Sequence, residues 1–272
     1  MSYIDDLFGI KEKVVILTGG GGVIASGMAE AILKADAKVL LWDITAESLD
    51  NAKKRLSDAT GKGENIYTSL VDAFNEDSVK KAIEDAEKNF GTPDVLINAA
   101  GGNRGKSDFI NLDVATFESV VRLNLVAGLV VPTKVLAEYW MNKKVKGSII
   151  NLASMSSYIP LSGVWAYDAA KAGVLNLTMA TAKEFAPYGI RVNAIAPGFF
   201  VGKQNKELLI KDDKTGELTD RGNAIVAHTP FGRFGESSEL IGATLFLISD
   251  KAAGFVTGIC IPVDGGYLIH NI

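Results

Sequence analysis

Seven short apolar runs, each followed by a longer stretch of mixed character, set the limits on what this chain can fold into. Residues 14–17 lead into a helical pattern near 23–35, 38–42 into 46–58, 66–71 into 78–89, and 95–97 into a long pattern near 115–141. Residues 148–152 precede 165–185, and 192–195 precede a polar stretch and a pattern near 238–248; 259–263 closes the set. The runs are apolar at successive positions, so strands built from them are covered on both faces. Strands alternating with helices imply a parallel sheet between two helical layers.

The fold class that follows is α/β: a single-domain, doubly wound (Rossmann) seven-stranded parallel sheet flanked by helices. All 272 residues are expected in one domain. Such sheets bind ligands beyond the carboxyl ends of their strands, so functional residues belong just after each strand. Residues 199–234 break the short-loop rhythm and are expected to form a substrate loop, because long loops in compact domains are usually lids or binding segments. Net charge is −4 with no basic block, which removes the electrostatic footprint of a nucleic-acid binder. No apolar stretch is read as longer than a strand, and the amino terminus lacks a basic, then apolar, leader, so no membrane partner is expected. The one cysteine, Cys260, is read as a buried strand residue, and a reducing cytoplasm is the expected compartment.

The first run ends in Thr18-Gly-Gly-Gly-Gly22 and opens a helix. Glycines there permit a tight turn and close approach of a pyrophosphate to a helix amino terminus. Asp43 ends the second run, where a carboxylate can accept both ribose hydroxyls and repel a 2′-phosphate; NAD is therefore the expected cofactor. The plainer alternative is that Asp43 starts a turn or caps the next helix through Thr45. Asp72 and Ala73 follow the third run and Asn98-Ala99-Ala100-Gly101 the fourth. Each could be turn chemistry alone; their succession at strand ends is what points to a cofactor. The expected contacts are Gly19, Gly21, Gly22, Val23, Ile24, Asp43, Asp72, Ala73, Asn98, Ala99, Ala100, Gly101, Tyr167, Lys171, Pro197, Gly198, Phe200 and Val201.

The fifth run ends in Asn151-Leu-Ala-Ser154, and Tyr167 and Lys171 follow, four apart on one helix face. A phenol normally titrates too high for acid–base work at neutrality, and an adjacent ammonium is expected to lower it. Ser154 can orient the reacting oxygen. Hydride passes directly between substrate carbon and cofactor, so no metal is required, and His228, His270 and Cys260 are too few for a zinc site.

With these residues in hand, the chain resembles the short-chain dehydrogenases/reductases over nearly its whole length. The resemblance is carried by Thr18-Gly19, Asp43, Asp72, Asn98–Gly101, Asn124, Ser154, Tyr167-Asp-Ala-Ala-Lys171, Pro197-Gly198 and Val263-Asp-Gly-Gly266. It implies a catalytic set of Asn124, Ser154, Tyr167 and Lys171, with Lys171 also holding the nicotinamide ribose and Asn124 anchoring a water. It also implies a homotetramer. Two departures stand out. Val23 and Ala25 occupy the family's two later glycine positions, and Phe199-Phe-Val-Gly replaces its usual threonine near the nicotinamide, leaving backbone near Val201 to serve.

For the substrate, Asn103, Arg104, Ser156, Gln204, Asn205 and Arg221 are the candidates. A polar, cationic set suits a hydroxylated, anionic molecule, since an arginine can grip a carboxylate with two hydrogen bonds; the plainer alternative is that these arginines are solvated or paired. The segments around Gly101-Gly-Asn103, Phe199–Asn205, Leu218–Arg221 and Thr229–Gly235 are similar to the sugar-acid branch of that family, the D-mannonate oxidoreductases (fructuronate reductases) and, less closely, the gluconate 5-dehydrogenases. The competing expectations are a polyol, cyclitol or 3-oxoacyl substrate and, more remotely, an inactive cofactor-sensing protein.

Overall fold

The computed structural model describes residues 2–202, 206–212 and 214–271. The chain opens with α1 (Tyr3–Phe8), then alternates β1 (Val14–Thr18), α2 (Val23–Lys34), β2 (Lys38–Asp43), α3 (Ala46–Thr60), β3 (Ile66–Leu70), α4 (Glu76–Phe90) and β4 (Val95–Asn98). Helix α5 (Val114–Val121) continues through a π-helical stretch, Arg122–Val130, into α6 (Val131–Lys143). There follow β5 (Gly147–Leu152), α7 (Trp165–Phe185), β6 (Ile190–Pro197), α8 (Lys206–Leu209), β7 (Ile210–Asp212), β8 (Glu217–Leu218) and α9 (Asp220–His228). The chain ends with α10 (Ile241–Ile248), α11 (Asp250–Ala253) and β9 (Cys260–Val263).

Among the described residues, seven strands pair in parallel in the order β3-β2-β1-β4-β5-β6-β9. The core explains the unbroken apolar runs. Side chains alternate across a strand, so Val15, Leu17, Val39, Leu41 and Ile97 pack beneath α2, α3 and α10. Their neighbours Val14, Ile16, Leu40, Trp42 and Leu96 face α4 and α6. Helix ends follow local chemistry. Asn75 caps α4 by accepting from the Asp77 and Ser78 amides. Gly61 closes α3 in the left-handed conformation that glycine adopts without strain.

Three sequence expectations are corrected. The segment read as a loop near 199–234 holds α8, an antiparallel β7–β8 hairpin and α9. The helix Val114–Lys143 is, by length and composition, apolar enough to cross a membrane, where none was expected. Its apolar residues, Val131, Val135, Leu136 and Trp140 among them, pack on the sheet. Cys260 is half-buried rather than buried, against the Tyr158 hydroxyl, and burial pushes its thiol up.

At the amino ends of the strands, Asp250 accepts from Lys13 at 2.7 Å and from the largely buried Arg191 at 3.2 Å. Arg191 also donates to the Leu247 carbonyl, and Asp94 accepts from the Val14 amide. Burial draws the Asp250 carboxyl upward, but Lys13 and Arg191 outweigh it and hold it below the usual carboxylate range. A depressed carboxylate stabilises the fold at neutral pH and loses that contribution as pH falls through its lowered value. Arg191→Ala is expected to cost roughly 1–2 kcal/mol at pH 7, because it removes one donor from the buried Leu247 carbonyl and one of the two cationic partners of the partly exposed Asp250. Urea unfolding at pH 7 and in acid checks this; the difference should shrink in acid.

Candidate active site

Successive strands step outward in one direction from β1 to β3 and in the other from β4 to β9, so the crossover lies between β1 and β4. A crevice opens there at the carboxyl ends of the strands. Two cavities of about 430 and about 350 Å³ occupy it, and both are lined by Ile24, Ala99, Gly101 and Phe200.

The first cavity is built by the glycine turn. Gly19 alone of the four glycines is left-handed, and an added Cβ would sit 2.8 Å from the Ala100 Cα, so β1 and β4 meet there without side chains. Thr18, buried, fixes that approach: its hydroxyl accepts from the Ala99 and Ala100 amides, each at 3.1 Å. The Gly20, Gly21 and Gly22 amides are engaged by Trp42 carbonyl, Asp43 carboxylate and Gly19 carbonyl. Helix α2 then opens at Gly22 without a side-chain cap. The first amides of a helix have no intrahelical acceptor, and Gly22, Val23, Ile24 and Ala25 all line the cavity. At Val23 and Ala25, where the family's later glycines would stand, the uncapped helix start therefore faces the cavity, while the Gly20, Gly21 and Gly22 amides are engaged within the protein.

Asp43 lies in the same cavity. One carboxylate oxygen accepts from Gly21 at 3.1 Å; the other accepts from the Ile44 amide at 2.8 Å and from the Thr45 amide and hydroxyl. The turn alternative therefore holds, and Asp43 lines the cavity as well. Ser48 and Ser237 also line this cavity and were not anticipated. Ser48 sits in the first turn of α3, where an added Cβ on Gly21 would meet it at 2.5 Å, so extending α3 back to the glycine turn could have found it.

Three expected cofactor contacts, Asp72, Ala73 and Asn98, do not line either cavity. Asp72 is exposed, its carboxylate accepts from the Phe74 amide and its own amide donates to Ser78, which is turn chemistry; neither it nor Ala73 lines these two cavities. The Asn98 side chain turns into the protein, donating to Thr133 and Asn151 at 2.9 Å each, and ties β4 to β5.

The second cavity gathers the chemistry. Ser154, at the end of β5, and Tyr167 and Lys171, in the first two turns of α7, line it with Pro197, Gly198 and Phe199. The Ser154 hydroxyl hydrogen-bonds the phenol and also accepts from the Ser156 amide. Lys171 is 6% exposed; its Nζ donates to the Leu152 carbonyl at 2.6 Å and lies 5.6 Å from the Tyr167 ring centre. Burial pulls the ammonium down to about 8. The phenol is pushed up rather than down, first by burial and then by neighbouring Asp168, with Ser154 opposing. The expected lowering by Lys171 is absent from this arrangement, in which the ammonium is spent on a carbonyl.

Asn124 sits in the π-helical stretch, fully buried. Its amide bonds both the N–H and the C=O of Gly102, at 3.0 and 2.7 Å, and so holds the strand-β4 loop. A Cβ on Gly101 would meet Asn124 Oδ1 at 2.6 Å and Lys171 Nζ at 3.7 Å; the two side chains converge on that glycine. Among substrate candidates, Asn103 and Arg221 line the catalytic cavity. Arg104 lines a separate neighbouring cavity of about 210 Å³, and Ser156 is buried beside Asp168. Gln204 and Asn205 lie outside the described residues. Leu161 and Val164 complete the wall from the loop between β5 and α7, which carries no sequence signal.

The crevice fits a dinucleotide: a carboxylate and an open helix start at one end, and an ammonium beside a phenol and a hydroxyl at the other. Residues 21–268 match a family profile described as enoyl-(acyl carrier protein) reductase. An uncharacterized oxidoreductase of Haemophilus influenzae is 40% identical, covering 96% of this chain and 95% of its own. The 5-keto-D-gluconate 5-reductase of Escherichia coli is 32% identical, covering 98% and 99%. A crystal structure from Haemophilus influenza, provisionally named a D-mannonate oxidoreductase and holding NAD, superposes with a TM-score of 0.86 at 38% identity over 97% of each chain.

Proposed function

The chain belongs to the short-chain dehydrogenase/reductase family, and on that premise we propose that it interconverts a secondary alcohol and a ketone on a sugar acid with NAD(H), D-mannonate and D-fructuronate being the leading pair. The observation that carries the reaction type is the convergence of Ser154, Tyr167 and Lys171 on one cavity beside the glycine turn. The NAD-holding neighbour and the ketogluconate reductase support the cofactor and the substrate class.

A bound nicotinamide supplies or accepts the hydride. In reduction, the Tyr167 phenol, kept protonated by burial, gives its proton to the carbonyl oxygen as the carbon is reduced. Ser154 donates to that same oxygen and holds it in line. In oxidation the phenolate takes the alcohol proton. Lys171, 5.6 Å from the ring centre, would hold the nicotinamide ribose and favour that phenolate once its ammonium is drawn off the Leu152 carbonyl. Asn124 keeps Gly102, and with it the loop bearing Asn103, against the cavity.

A panel of sugar acids and neutral polyols, assayed with NAD and NADP, tests the reading. NAD reduction with D-mannonate is the expected result. Turnover of a neutral polyol alone would remove the sugar acid while leaving the reaction type. Sizing the same preparation by light scattering tests the homotetramer, for which the apolar groove lined by Leu129, Val130, Met141 and Leu177 offers a face to cover.

A further inference from the structure

We propose that Arg221 is the residue that selects a carboxylate-bearing substrate, gripping the end of the molecule remote from the carbon that exchanges hydride. The inference rests on the sugar-acid reading above and names the side chain that enforces it.

Two formal charges line the catalytic cavity among the described residues, Lys171 and Arg221, and both are positive. The whole chain is net negative, at −4. A local excess of cation in a cleft raises the local concentration of anions and leaves that of neutral analogues unchanged. The two cations are not equivalent. Lys171 is committed to the Leu152 carbonyl and to the proton-transfer group. Arg221 makes no ion pair or side-chain hydrogen bond among the described residues, unlike Arg233, which is held by both oxygens of Glu239 at 2.6 and 2.7 Å. Its guanidinium thus keeps the planar pair of donors that matches a carboxylate.

Arg104, the other arginine expected at the mouth, opens onto a different cavity with Lys106 and Trp165. The structure therefore separates two residues that the sequence left level.

Arg221 also stands on a fixed platform. The Thr219 hydroxyl caps α9 by accepting from the Gly222 amide at 3.0 Å and donates to the Leu208 carbonyl at 2.8 Å. The Thr219 amide donates to the Leu209 carbonyl at 3.0 Å. Gly222 lies so close that a Cβ would stand 2.2 Å from that carbonyl oxygen. Helix α9 and α8 are locked together through these contacts, so the backbone that carries Arg221 is ordered before substrate arrives and less freedom is lost on binding.

The test compares Arg221→Gln and Arg104→Gln with the unaltered enzyme, using a sugar acid and the corresponding neutral ketose. Arg221→Gln is expected to raise KM for the acid roughly 100-fold, the effect of losing a charge-assisted pair of hydrogen bonds. The kcat, the NADH affinity and kcat/KM for the neutral ketose should stay close to the parent values, and Arg221→Lys should recover part of the acid's KM. Equal losses on acid and ketose, a loss of NADH affinity, or the same selective loss from Arg104→Gln instead would each overturn the inference. An unaltered enzyme that turns over the ketose and no acid would overturn the sugar-acid reading itself, and the inference with it. An unaltered enzyme that prefers the acid, with a preference that survives Arg221→Gln, would overturn the inference alone.

Discussion

Tyr167→Phe is expected to lower kcat roughly 1000-fold, the size of a lost general acid–base group. The substitution removes one oxygen and keeps the ring, so the cavity wall is preserved, and NADH affinity measured by fluorescence titration should be little changed. The pH dependence is the sharper readout. Burial and Asp168 hold the phenol above its ordinary value near 10, so the acid form needed for ketone reduction persists through the neutral range. Alcohol oxidation needs the ionised form, so its rate should climb with pH, and that climb should vanish in the variant. A variant with parent turnover would show that the phenol is not the proton-transfer group.

The second large effect couples activity to stability in opposite directions. Lys171→Met should reduce kcat by two orders of magnitude or more on the scale of a lost activating charge, and weaken cofactor binding as well. The same variant should be the more stable protein at neutral pH. Burial lowers the Lys171 ammonium from 10.5 to about 8. A lysine lowered by folding is charged at a cost below its folded value, and the cost fades as pH rises towards the unfolded value. The gap corresponds to roughly 3 kcal/mol, offset by about 1 kcal/mol for the lost bond to the Leu152 carbonyl. Thermal melts of the cofactor-free proteins should show the variant several degrees higher at pH 7, with the difference closing by pH 10. Equal melting at pH 7 would refute the stored cost.

The strands and their parallel pairing were legible because both faces of each strand are covered, leaving Val14–Leu17 and Val95–Ile97 without polar interruption. The gathering of Ser154, Tyr167 and Lys171 on one cavity was legible for a different reason: a serine at a strand end and a Tyr–Lys pair one helical turn apart are local patterns. What stayed hidden depends on tertiary packing. The widened helical turn around Asn124 has the same apolar spacing as ordinary helix, and only its clamp on Gly102 marks it. The β7–β8 hairpin has strands of three and two residues, too short for alternation to register. Asn98 and Asp72 sit at strand ends as ligand-binding residues do, but side-chain direction sent one into the sheet and the other into a turn.

The double engagement of Asp43 bears on how this protein could be re-engineered. Its carboxylate lines the cavity beside the glycine turn and is also the knot that joins that turn to the start of α3. A designer who exchanges it for a small or basic residue to admit the phosphorylated coenzyme also unties the Gly21 amide and frees the Ile44–Thr45 corner. Coenzyme choice is therefore wired into the scaffold, and a successful swap would have to rebuild that corner together with the carboxylate.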